Sequence, residues 1–93
     1  MLDEEMTQVD LSPEDLDEIM ERREELEIEF DLERTLVFFL NCQNRIEDLN
    51  AQFSQSFKNM DLNQMKRLIA LMKYEISLKE AAEDKVLSLG GSF

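Results

Sequence analysis

From Ser12 onward, apolar residues recur at spacings of three and four, the period of helices that each bury a stripe along one side. The first eleven residues, MLDEEMTQVDL, show no sustained period and read as a flexible acidic segment or linker, which leaves 12–93 as the folded unit. Ser12-Pro13-Glu14-Asp15 is a helix start: the Ser12 hydroxyl accepts from free backbone N–H groups, Pro13 suits the first helical position, and the acids sit at the positive end of the dipole. Helix 1 runs from there to about Phe30, and Asp31 caps helix 2. The latter carries Leu32, Leu36, Phe39, Cys42, Ile46, Leu49, Phe53 and Phe57 on one continuous apolar face and reaches about Asn59. Met60 to Met65 gives a third start, in which Asp61 caps, Gln64 reaches back as in a capping box, and Met60 staples onto Met65. Helix 3 begins at Leu62. Its first stripe is Leu62, Met65, Ile69, Met72 and Ile76; a second, Leu68, Leu71, Leu78, Ala82, Val86 and Leu89, widens the apolar arc before Gly90-Gly91 closes the helix.

Three helices joined by very short turns predict an all-α fold, an antiparallel three-helix bundle that is elongated and has a shorter first helix. At about 1.5 Å rise per residue, helices 2 and 3 extend roughly 40 Å and helix 1 little more than half of that. Leu26, Leu49 and Ile69 are expected in the core. The apolar run Leu36-Val37-Phe38-Phe39-Leu40 lies in the first turns of helix 2.

Composition narrows the function. Ninety-three residues leave room for one modest domain, and two Gly and one Pro are too few for the turns of an all-β sandwich. The absence of His removes the usual general base and the commonest metal ligand, and the single Cys42 forbids an internal disulfide and reads as a small buried apolar residue. A net charge of −12 rules out a basic nucleic-acid surface and electrostatic attachment to anionic lipid, and no apolar run approaches a membrane span. The excess is local. Residues 1–33 hold fifteen acids against Arg22 and Arg23, whereas residues 34–93 hold seven acids and eight bases. The crowded carboxylates Asp15, Asp17, Glu18, Glu21, Glu24 and Glu25 match neither a calcium loop nor a di-iron repeat and read as a hydrated face. With no Gly-rich phosphate loop, Cys pair or Ser/His arrangement, nothing points to an enzyme, a metal or a cofactor.

A wheel of helix 1 is more telling. With Leu16 at zero and about 100° per residue, Ile19, Leu26 and Phe30 centre near 300°, Met20 falls near 40°, and Glu24, Asp17 and Glu21 follow at roughly 80°, 100° and 140°. Leu16 and Met20 therefore border an acidic strip, an arrangement that suits a docking surface as well as a widened core. Ile28, among acids, has no structural reason to be apolar. On helix 3, Tyr74 lies at the edge of the apolar arc, where its ring can be buried and its hydroxyl wet.

The segment from Leu16 to Glu27 (LDEIMERREELE), followed by Phe53 to Phe57, Asp61-Leu62 and Leu71-Met72-Lys73-Tyr74, resembles the C-terminal domain of the HscB family of J-domain co-chaperones over residues 12–88. The resemblance implies a three-helix domain that binds an IscU-type iron–sulfur cluster scaffold protein in the bacterial cytoplasm or mitochondrial matrix. It carries the family's scaffold-binding positions over to Leu16, Met20, Glu21, Glu24 and Tyr74, which is the border surface of the wheel. Two positions depart from the family pattern: Asp17 stands where a second apolar residue is usual, and Ile28 where an acid is common. The His-Pro-Asp motif of the J-domain is absent, so the resemblance implies contact with a DnaK-class chaperone only through a J-domain that these 93 residues do not include. The alternative reading is an acidic helical bundle that self-associates, or meets another protein, through its apolar borders, with the run from Leu36 to Leu40 as a candidate contact.

Overall fold

The computed structural model describes residues 11–91. Within them the chain forms α1 (Pro13–Ile28), α2 (Leu32–Lys58) and α3 (Leu62–Ser88), with no strand, and measures 44 × 24 × 21 Å. All three predicted starts are in place. Ser12 and Asp15 form a complete capping box at α1, Asp31 accepts from the Arg34 N–H at α2, and Asp61 accepts from the Gln64 N–H at α3. At α3 only that forward bond forms, and Met60 is 75% exposed rather than tucked against the helix.

The two long helices end in the same way. After α2, the Met60 N–H donates to the Phe57 carbonyl and the Asp61 N–H to that of Ser56; after α3, the Gly90 N–H donates to Leu87 and the Gly91 N–H to Val86. Both are Schellman closures, which need one left-handed residue. Gly90 supplies it at φ 93°, but at the α2–α3 turn a methionine does so, with Met60 at φ 57°. Gly91 is small for a different reason: a Cβ there would lie 2.7 Å from Val86 Cγ1 and 2.8 Å from Leu32 Cδ1, where the end of α3 rests on the start of α2.

Helix α1 stops two residues short of the predicted Phe30. Glu29 is extended (φ −84°, ψ 128°) and its N–H donates to the Leu26 carbonyl, while the Lys85 ammonium, reaching over from α3, donates to that same carbonyl and to the Glu27 carbonyl at the helix end. Phe30 is therefore not on the core stripe. It is 75% exposed, with the Lys85 Nζ 4.8 Å from its ring centroid.

Helices α2 and α3 pack closely as an antiparallel pair, and α1 lies along them, approaching α3 at fewer points. One cluster gathers Leu26, Phe38, Phe39, Cys42, Leu78 and Ala82, with Ala81 against it; a smaller one gathers Leu11, Ile19 and Ala70. Leu11, the last residue of the segment read as a linker, is thus buried, while residues 1–10 lie outside the described residues. Leu26 and Leu49 are buried as expected, but Ile69 is 43% exposed. The two stripes of α3 exchange roles: Leu68, Leu78, Ala82 and Val86 face the core, whereas Leu62, Ile69 and Ile76 are exposed. The reason is that α3 touches both neighbours at once, so its buried arc centres between α1 and α2. On α2, the run from Leu36 to Leu40 is split, with Phe38 and Phe39 buried and Val37 and Leu40 exposed, and Phe57 at the far end of the predicted face is also exposed. No helix among the described residues is long and apolar enough to cross a membrane.

Candidate functional site

The five residues singled out on α1 and α3 occupy three kinds of position. Leu16 and Tyr74 are half-buried and pack against the same small cluster of Leu11, Ile19 and Ala70, so the fold brings them to one edge of the α1–α3 seam. Met20, one turn beyond Leu16, is 60% exposed. Glu21 and Glu24 are exposed farther round α1, beside Asp17. The result is an apolar step with an acidic flank, where Leu16 and Tyr74 gain rigidity from the core and Met20 offers free apolar surface. On the other side of α1 a groove of about 420 Å³ opens towards α2, lined by residues that include Glu25, Glu29, Val37 and Phe38. No group of three or more potential metal-ligating side chains converges among the described residues.

A buried polar junction behind this edge was not foreseen. Glu75 is 4% exposed, and its Oε1 accepts from Arg22 Nη1 at 2.5 Å and from Arg45 Nε at 3.2 Å, tying all three helices together. Arg45 also pairs with Glu18 at 3.1 Å. Arg22 stacks over Phe38 at 5.3 Å and donates to the Cys42 sulfur at 3.5 Å. Burial tends to lower the Arg22 pKa, but the hydrogen bond and charge of Glu75 outweigh it and raise it. Burial, with Glu75 adding to it, pushes the Cys42 thiol up to about 12, so this cysteine is an unreactive thiol at neutral pH. The available signal was Glu75 itself, an acid inside the stripe from Leu71 to Leu78.

At the start of α1, Arg67 grips Asp15 with two parallel bonds of 3.0 Å, from Nε to Oδ2 and from Nη2 to Oδ1. The Arg67 hydrogen bond holds the Asp15 carboxyl below its ordinary 3.8, against the opposing effect of burial and with help from Ser12. A carboxylate depressed in the folded state stabilises above its unfolded value, and that stability is lost as pH falls through the folded value. The stability gap between wild type and Asp15→Asn should accordingly be full at pH 7 and close as pH drops below 3.8, a trend that urea melts over an acid series would measure. A gap that stayed constant into acid would mean that Asp15 acts through its cap geometry and not its charge.

The family described as the HSCB C-terminal oligomerisation domain matches residues 11–83, which begin at buried Leu11 and take in all of α1 and α2 and most of α3. No match was found among curated proteins or among solved structures.

Proposed function

The chain belongs to the HSCB C-terminal oligomerisation domain family, a family of co-chaperones, and from that premise we propose that it is a co-chaperone module that binds an IscU-type iron–sulfur cluster scaffold protein. Through a J-domain carried elsewhere, the scaffold would pass to a DnaK-class chaperone, in the bacterial cytoplasm or the mitochondrial matrix. The binding surface is the edge formed by Leu16, Met20 and Tyr74 with Glu21 and Glu24 beside it. One observation carries this reading: Met20, 60% exposed, extends an apolar edge that the core holds in place through Leu16 and Tyr74. An apolar anchor next to charges is the usual composition of a protein docking site, with affinity in the anchor and encounter rate in the charges.

Calorimetric titration with scaffold tests it. Truncating an interface anchor commonly costs about 2 kcal/mol, roughly 30-fold in affinity, so Leu16→Ala, Met20→Ala and Tyr74→Ala should each weaken binding by that order. Glu21→Lys and Glu24→Lys should mainly slow association. Leu16 and Tyr74 also pack within the domain, so thermal melts accompany the titrations. Met20 decides the matter because it is exposed: Met20→Ala binding scaffold with unchanged affinity would remove this surface from the interface.

A further inference from the structure

The exposed side of α3 has more order than a solvated helix face requires. Leu62, Ile69 and Ile76 are 65%, 43% and 45% exposed and lie seven residues apart, with half-buried Met65 and Met72 between them, so the spacing runs three, four, three, four. That is the a/d seam of a two-helix coil, yet the intrachain core is built from the other side of the helix. Lys66 and Lys73 flank the seam, also seven apart; both are exposed and neither joins an ion pair among the described residues. Between Leu62 and Lys79 the only acid is Glu75, which is buried. In a chain of net charge −12, this is a locally cationic apolar face.

Its complement is on the same molecule. The outer side of α1 exposes Asp17 and Glu24, again seven apart, with Met20 and Glu21 between them and Ile28, 75% exposed, four residues beyond. We propose that the chain self-associates head to tail, the outer face of α1 in one copy docking antiparallel on the Leu62–Ile76 face of α3 in the next. Both charge pairs are spaced about 10.5 Å apart at helical rise, so Asp17 meets Lys73 and Glu24 meets Lys66 in a single register. That register brings Ile28 to Leu62 and Met20 to the turn that carries Ile69, which gives Ile28 a role no intrachain contact supplies. Two α3 faces docked on each other would instead set Lys66 against Lys73, so like charges disfavour the symmetric arrangement. The family description names oligomerisation but no surface. The inference does not rest on the scaffold reading, and its test contains no scaffold.

A heterologous contact does not close at two copies, so mass should keep rising with concentration. Buffer of about 0.15 M ionic strength, with a Debye length of about 8 Å, suppresses the repulsion between whole molecules. Sedimentation velocity of the full chain from about 10 μM to 1 mM should show average mass climbing past that of a dimer. An α3-face variant, Lys66→Glu with Lys73→Glu, and an α1-face variant, Met20→Ala with Glu21→Gln and Glu24→Gln, should each weaken association by tenfold or more, so that the rise in mass begins at correspondingly higher concentration. All five positions are solvent-exposed, so melts should match wild type. Mixed one to one, each variant still offers the face the other lacks, and the mixture should form a dimer that grows no further. A wild-type chain that stays monomeric to 1 mM, or a mixture that stays monomeric while wild type associates, overturns the proposal.

Discussion

Glu75→Ala should lower the thermal unfolding midpoint by roughly 12 to 40 °C, since removing one partner of a buried ion pair costs about 3 to 5 kcal/mol and each kcal/mol moves a domain of this size by about 4 to 8 °C. The carboxylate is 4% exposed, and its Oε1 is the one acceptor shared by Arg22 from α1 and Arg45 from α2. Without it the Arg22 guanidinium, whose side chain is 16% exposed, keeps the Phe38 ring and the Cys42 sulfur as its partners among the described residues. Arg45 is less affected because it is about half exposed and retains Glu18. The companion experiment is the double replacement Arg22→Met/Glu75→Met, which removes both charges and retains bulk; it should recover most of the loss, because a desolvated pair and an apolar pair of similar volume differ little in net stability. Calorimetric melts of wild type, single and double variants decide the matter. A Glu75→Ala midpoint within a few degrees of wild type would mean that Arg22 swings into solvent at little cost and that the junction only positions α1.

Two adjacent substitutions on α3 should differ severalfold. Leu68→Ala removes a side chain with no exposed surface and should cost about 2.7 to 5 kcal/mol, the transfer loss plus that of the cavity left behind. Ile69→Ala, at a residue 43% exposed, should cost under about 1.5 kcal/mol, because water already covers much of the site. Urea midpoints at matched m-values measure both. Equal losses, or a larger one at Ile69, would require α3 to be turned by about one residue, roughly 100°, from the orientation described.

That rotation is also where sequence reading reached its limit. Ser12, Asp31 and Asp61 were legible as helix starts because a cap acts on its own next three residues and depends on nothing remote. Helix number, order and unequal length follow from those starts. The buried side of α3 was not legible, since the helix carries two apolar stripes and the more regular one, Leu62 to Ile76, is the one left outside. The true core stripe is interrupted by Glu75, and the interruption becomes intelligible only once Arg22 and Arg45 are known to converge on it from 53 and 30 residues away. The end of α1 was misjudged for a similar reason, because the lysine that closes it lies 59 residues farther on. For the candidate site, the wheel placed Leu16 and Met20 at the margin of the core stripe without knowing the neighbour. That α3 lies there, and that Tyr74 shares Leu16's cluster, is information held by the packing of two helices and not by either alone.

Cys42 turns this fold into its own recorder. It is the only thiol in the chain, has no exposed surface, lies under Arg22 where α1, α2 and α3 meet, and is held protonated by a pKa near 12. A disulfide reagent can label it only during moments when the junction parts, and each molecule takes a single mark. The labelling rate at rising reagent concentration therefore counts those openings, first in proportion to reagent and then at a ceiling set by the opening rate itself. Comparing that ceiling with the global unfolding rate separates two motions that a melting curve merges: α1 lifting from the hairpin, and the whole domain coming apart.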